Sequence, residues 1–96
     1  MPRARLSDPE IDQALTTVSW RRDGDRITRS FRLADFRAAM AFVNRVAEVA
    51  EQLDHHPDIS ISWNRVELTV TTHDSGGLTA RDFDLARAVD SLEAES

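Results

Sequence analysis

Apolar residues recur along this chain at two periods, one helical and one alternating, and the changes of period mark out its elements. Ser7-Asp8-Pro9-Glu10 has the S-x-x-E spacing of a capping box, and Ile11, Ala14, Leu15 and Val18 follow at helical spacing, which predicts a short first helix. Residues 18–22 and 26–33 flank Asp23-Gly24-Asp25, with apolar and polar positions alternating through Ile27, Phe31 and Leu33, the pattern of a β-hairpin. From about residue 35 to residue 53 the period turns helical. Phe36, Met40, Val43, Val46 or Ala47, Ala50 and Leu53 share one stripe, with Arg37, Asn44, Glu48 and Glu51 toward the other side. Pro57 then forbids helix and drives His56 toward an extended conformation. Ile59, Ile61 and Trp63 alternate with serines, Asn64-Arg65 can turn, and Val66, Leu68 and Val70 alternate with Glu67, Thr69 and Thr71, so a second hairpin is expected. Gly76-Gly77 breaks the chain, Thr79 with Asp82 offers another capping pair, and Phe83, Ala86, Val89 and Leu92 build a last helix.

The resulting order, α-β-β-α-β-β-α, predicts an α+β domain: a four-stranded antiparallel sheet with three helices packed on one face. At 96 residues the whole chain, 1–96, is read as one domain whose core buries somewhat over ~60% of the surface that the unfolded chain exposes. No linker, low-complexity stretch or repeat beyond a weak β-β-α echo divides it.

Composition narrows the chemistry. No apolar run approaches the ~20 residues of a membrane span, and no charged start is followed by an apolar signal core, so a cytoplasmic protein is expected. The absence of cysteine fits a reducing compartment. The net charge is −5 and the arginines are scattered from Arg3 to Arg87 without a run, which argues against a nucleic-acid partner bound through its phosphates. Lysine, cysteine and tyrosine are all missing. Schiff-base, thiolate and phenolic chemistry go with them, leaving histidine, carboxylates and the hydroxyls of serine and threonine.

All three histidines, His55, His56 and His73, fall within residues 51–82, one third of the chain, so the groups that titrate near neutral pH are clustered. Glu51 and His55 are four apart at the end of the long helix, where a carboxylate can orient an imidazole. His73 is placed at the end of the fourth strand, on the side of Glu67, Thr69 and Thr71, and Asp74-Ser75-Gly76-Gly77 after it allows close backbone approach to a ligand. Residue by residue, a solvated helix end and an exposed strand end remain open as readings. No metal is expected, since adjacent His55 and His56 diverge and neither H-E-x-x-H nor H-x-H occurs.

Taken in order, Glu51, His55-His56-Pro57, Trp63, His73 and Asp82 resemble the signature of the pterin-4a-carbinolamine dehydratase family. LSDPEIDQAL, FRLADF and NRVAEVAEQLDHHP are similar to the family's corresponding segments, and the resemblance spans roughly residues 6–92. It implies a hydro-lyase that dehydrates a 4a-hydroxytetrahydropterin to the quinonoid dihydropterin in tetrahydropterin recycling, with no cofactor. It also implies a homodimer or homotetramer, and an aromatic amino-acid hydroxylase in the same pathway. By position, His55 and His73 are implied as the acid/base pair, His56 as a catalytic-site residue that mainly binds the pterin, and Glu51 as the group orienting a histidine. Asp54, Thr72, Asp74 and Ser75 are implied at the ring's polar edge, while Pro57 and Asp82 are structural, Asp82 anchoring the loop at the start of the last helix. Ile59 stands where animal members carry a bulky aromatic, a departure in the pocket wall. The family also implies two competing functions, a non-enzymatic dimerisation or assembly partner and a pterin-binding module without turnover.

Overall fold

The computed structural model describes residues 4–95, with side chains as far as Leu92. Its elements are α1 (Asp8–Leu15), β1 (Arg21–Asp23), β2 (Arg26–Arg32), α2 (Phe36–Leu53), β3 (Asp58–Ser62), β4 (Arg65–Val70), a 3₁₀ turn (His73–Ser75) and α3 (Ala80–Glu95). The four strands form one antiparallel sheet in the order β1-β2-β4-β3, so the α+β architecture expected from the sequence is the one observed.

Register explains the core. Ile27 pairs with Val70, Arg29 with Leu68 and Phe31 with Val66, which aligns the apolar positions of β2 and β4 on one face. On that face Ile27, Phe31, Val66, Leu68 and Val70 join Ala39, Phe42, Val46 and Ala50 of α2 and Phe83, Leu85, Ala86 and Val89 of α3 in one buried cluster. The rings of Phe31 and Phe42 stand 4.8 Å apart, and Trp20 meets Phe31 edge-on at 6.5 Å. The other sheet face carries Ser30, Glu67 and Thr69. Among the described residues no helix is long and apolar enough to cross a membrane.

Three details differ from the pattern, and one is the second hairpin's turn, which falls on Trp63-Asn64 rather than on Asn64-Arg65, Trp63 taking the left-handed conformation at φ 53° outside β3. The first strand begins at Arg21 rather than at residue 18, because Thr16, Thr17 and Val18 still bond back to carbonyls of α1 and Asp90 fastens the segment behind them. Asp90 accepts from Ser19 N at 3.1 Å, from the Trp20 indole at 2.8 Å and from Arg29 at 2.6 Å, which seats Trp20 in the core. In α2 the buried line is Ala39, Phe42, Val46 and Ala50, rotated from the stripe expected. Phe36 is 52% exposed and Leu53 38%, the first and last residues of the helix.

α1 carries the capping box read from the sequence: Ser7 N donates to Glu10 Oε1 at 2.8 Å and Glu10 N to Ser7 Oγ at 3.3 Å. Asp35 caps α2 by accepting from Ala38 N at 2.8 Å. At the other end of α2, His55 N bonds to Ala50 O and Asp54 N to Glu51 O, closing the helix around Asp54 in the left-handed region at φ 51°. That closure turns the chain so sharply that His55 and His56 leave the helix in different directions.

Candidate active site

A cavity of about 320 Å³ opens where the end of α2, the end of β4 and the start of α3 converge, lined by Asp54, His55, His56, Thr71, Thr72, His73, Asp74 and Arg81. Its volume is at the small end of ligand pockets. Each of these residues arrives by a local rule of the backbone. The left-handed closure at Asp54 delivers Asp54, His55 and His56 to one rim. β4 stops at Val70, earlier than the alternation suggests, because Thr72 pairs with Gly77 in an isolated bridge and the residues between close into the 3₁₀ turn. His73 therefore opens a turn instead of ending a strand, and it is exposed.

The imidazole of His55 is buried, 8% exposed, and its Nε2 lies 2.6 Å from Oδ1 of Asp82, which has no exposed surface. The other oxygen, Oδ2, accepts from Thr79 N at 2.9 Å and from the Thr72 hydroxyl at 2.8 Å. Thr72 has one hydroxyl hydrogen and a carboxylate can only accept, so that hydrogen goes to Asp82 and Thr79, 2.8 Å away, donates to Thr72. Thr79 Oγ1 in turn accepts from Arg81 N at 3.2 Å, which completes the start of α3. Every buried polar side-chain atom among the described residues has a partner. With Nε2–H given to Asp82, only Nδ1 of His55 remains for anything else.

Glu51 does not meet His55. The helix ends between them, and the left-handed turn at Asp54 carries His55 inward to Asp82. The carboxylate of Glu51 instead lies 2.5 Å from Nε2 of His56 at the exposed rim. His73 differs from both, since its imidazole has no hydrogen-bond partner among the described residues.

The structure therefore brings His55, His56, His73, Asp54, Thr72 and Asp74 to one cavity and places Glu51 behind His56 and Asp82 behind His55. Ser75 is half-buried on the turn without lining the cavity, and Pro57 links His56 to β3. Two lining residues were not singled out from the sequence. Thr71, whose hydroxyl donates to Asp25 O at 2.6 Å, is by alternation no more than an outward strand position. Arg81 donates through Nη2 to Leu53 O at 3.3 Å and to Asp54 O, so the cation caps the carbonyls at the end of α2. The signal was available: a helix end facing a site needs donors, and Arg81 stands beside the capping Asp82. Among the described residues no group of three or more histidine, cysteine, aspartate or glutamate side chains is arranged to hold a metal ion.

Residues 4–92 match the family described as pterin 4 alpha carbinolamine dehydratase. A relative from Chloroflexus aurantiacus, provisionally assigned as a pterin-4-alpha-carbinolamine dehydratase, is 53% identical over 89 residues, 92% of this chain and 96% of its own. One from Thermosynechococcus vestitus with the same provisional assignment is 48% identical over 89 residues, 92% of this chain and 94% of its own. Among solved structures, a transcriptional coactivator/pterin dehydratase from Brucella melitensis superposes with a TM-score of 0.87 at 37% identity, covering 92% of this chain and 97% of that one. A pterin dehydratase-like protein identified as a RuBisCO assembly factor in the alpha-carboxysome gives 0.68 at 25% identity, over 81% and 93% of the two chains. On the match across residues 4–92 and the near-complete coverage of these relatives, the chain belongs to the pterin-4-alpha-carbinolamine dehydratase family.

Proposed function

We propose that this protein dehydrates a 4a-hydroxytetrahydropterin to the quinonoid dihydropterin, recycling the pterin left by an aromatic amino-acid hydroxylase in the cytoplasm. The observation that carries this is the pairing of two imidazoles around one cavity, His55 with Nε2 committed to Asp82 and His73 with no partner among the described residues. The reaction needs a proton on the departing 4a-hydroxyl as the C4a–O bond breaks, and removal of the N5 proton as that electron pair forms the C4a=N5 bond. Water leaves and nothing is oxidised. His55 suits the base: it takes the proton on Nδ1, and the charge of Asp82 at Nε2 stabilises the imidazolium that forms, as a carboxylate does for histidine in hydrolase triads. His73, open to solvent for reprotonation, is the acid. His56, held by Glu51, binds the pterin at the rim, with Asp54, Thr72 and Asp74 at its polar edge. No cofactor enters. The test is the rate of carbinolamine loss above the uncatalysed background, in wild type and in His55→Ala and His73→Ala.

The same reading includes self-association. β3 is an edge strand whose five residues are all exposed, and Ile59, Ile61 and Trp63 on or next to it are large apolar side chains at 39, 37 and 66% exposure. Unpaired strand edges of this kind attract a further strand, and a second copy of β3 supplies it. The carboxysomal relative supports a second reading, a non-enzymatic assembly partner. In that case the assay shows no rate above background.

A further inference from the structure

The turn that carries His73 is anchored at both ends. At its start, Thr72 is tied to Asp82 and Thr79 of the α3 side. At its finish, the segment before α1 runs alongside it: Leu6 N donates to Leu78 O at 2.9 Å, and Arg5 Nη1 to Gly76 O at 3.4 Å. Gly76 sits in the left-handed region at φ 72°, and its N–H closes the turn onto His73 O at 3.1 Å. Thus the Gly76 residue bonds His73 through its nitrogen and Arg5 through its carbonyl. Gly77 follows in an ordinary backbone conformation, so its turn does not demand glycine. A Cβ placed there would instead lie 3.4 Å from Arg5 Nε and 3.6 Å from Cδ, which shows how closely the arginine stem covers the loop. Inside the turn Ser75 N donates to Thr72 O and Gly76 N to His73 O at 3.1 Å each, while the bridge between Thr72 and Gly77 at its open end, beside which Arg5 lies, is longer, at 3.3 and 3.4 Å.

From this we infer that Arg5 is a positioning residue for His73: lying across Gly76 and Gly77, it holds the turn in the conformation that points the imidazole at the cavity. The inference rests on the proposed role of His73 but concerns the loop, not the reaction. A single exposed bond of 3.4 Å contributes little to global stability. It can nevertheless govern a local opening, since a misplacement of ~1 Å at a catalytic group can cost ~10²-fold in rate.

The experiment combines kinetics with amide hydrogen exchange on Arg5→Ala and on Arg5→Met, which keeps the covering stem and removes the donor. Exchange at residues 73–77 should quicken by roughly tenfold in Arg5→Ala, with residues in β2 and β4 unchanged. kcat should fall by about 5- to 20-fold, within the ceiling of ~10²-fold, and KM should change less. Arg5→Met should fall between, and Arg5→Lys should restore much of the loss. In a His73→Ala background, Arg5→Ala should cost nothing further. Unchanged exchange at 73–77 overturns the inference whatever the activity, and so does an equal loss of kcat with and without His73. If wild type shows no turnover at all, the dehydratase reading fails, while the exchange comparison still decides what Arg5 does.

Discussion

Nε2 of His55 and Oδ1 of Asp82 lie 2.6 Å apart, and Asp82 is fully buried with its second oxygen accepting from Thr79 N and from the Thr72 hydroxyl. One carboxylate therefore caps α3, fixes the strand end beside the cavity, and engages Nε2 of His55 so that only Nδ1 is left for another partner. Fold and proposed chemistry meet at this residue.

Asp82→Asn separates the two. Its oxygen must still accept from Thr79 and Thr72, which turns the amide NH₂ toward His55 and drives the ring hydrogen to Nδ1, the wrong nitrogen for a base. The protein should remain folded, with kcat lowered about 10²-fold or more and a changed tautomer in the nitrogen shifts of His55. Activity within a few-fold of wild type would contradict the role given to Asp82. Asp82→Ala should instead be mainly destabilising, since each buried donor left unsatisfied costs ~1–3 kcal/mol.

Asp54 occupies a left-handed position, φ 51°, where glycine is the favoured residue, and its side chain lines the cavity. A non-glycine residue there costs roughly 1–2 kcal/mol. Asp54→Gly should therefore raise the melting temperature, by an amount corresponding to about 1 kcal/mol, while raising KM for the pterin. Lower stability, or unchanged KM, would show that Asp54 stands there for another reason.

These two residues mark how far the sequence was legible. Helix starts at Ser7 and Asp35, the hairpin turn at Gly24 and the alternation of β4 follow local rules, and the structure obeys them. The succession of elements along the chain and the clustering of the three histidines are also readable, whereas the place of β4 between β2 and β3 is set by tertiary pairing. What local spacing missed were partners set by tertiary closure. Glu51 is four residues from His55, yet a left-handed turn intervenes and the carboxylate that reaches His55 is 27 residues away. Arg81 escapes local spacing for the same reason, its bonds running to carbonyls at the end of another helix.

The capping box at α1 gives a pH signature. The backbone N–H and then the hydroxyl of Ser7 hold the Glu10 carboxyl below its ordinary value, outweighing slight desolvation. A carboxyl depressed in the folded state adds stability above the unfolded value of ~4.3 and loses it as pH falls through the lowered folded one. Glu10→Gln keeps the box without titrating. The melting-temperature advantage of wild type over this variant should be present at neutral pH and fade as the pH falls below the ordinary carboxylate range and through the lowered folded value; a difference that is constant with pH would rule the linkage out.

Self-association should depend on the β3 edge. Light scattering at micromolar concentration should give at least twice the 10.8 kDa chain mass. Ile61→Glu, which puts a charge at an exposed apolar position of that edge, should shift the protein toward monomer without unfolding it. A monomeric wild type would dismiss the dimer, and a variant that stays associated would move the interface elsewhere.

The most direct measurement is the loss of a 4a-hydroxytetrahydropterin, generated by a hydroxylase, with the uncatalysed rate subtracted, from about pH 6 to about pH 8.5, which brackets the ordinary titration of an imidazole. Wild type should accelerate it. His55→Ala and His73→Ala should each lower kcat by ~10²–10⁴-fold, and His56→Ala should act chiefly on KM. The double substitution of His55 and His73 should cost less than the product of the singles, as groups serving one concerted step do. No rate above background at any pH in that range would contradict the dehydratase reading and leave the assembly-partner one.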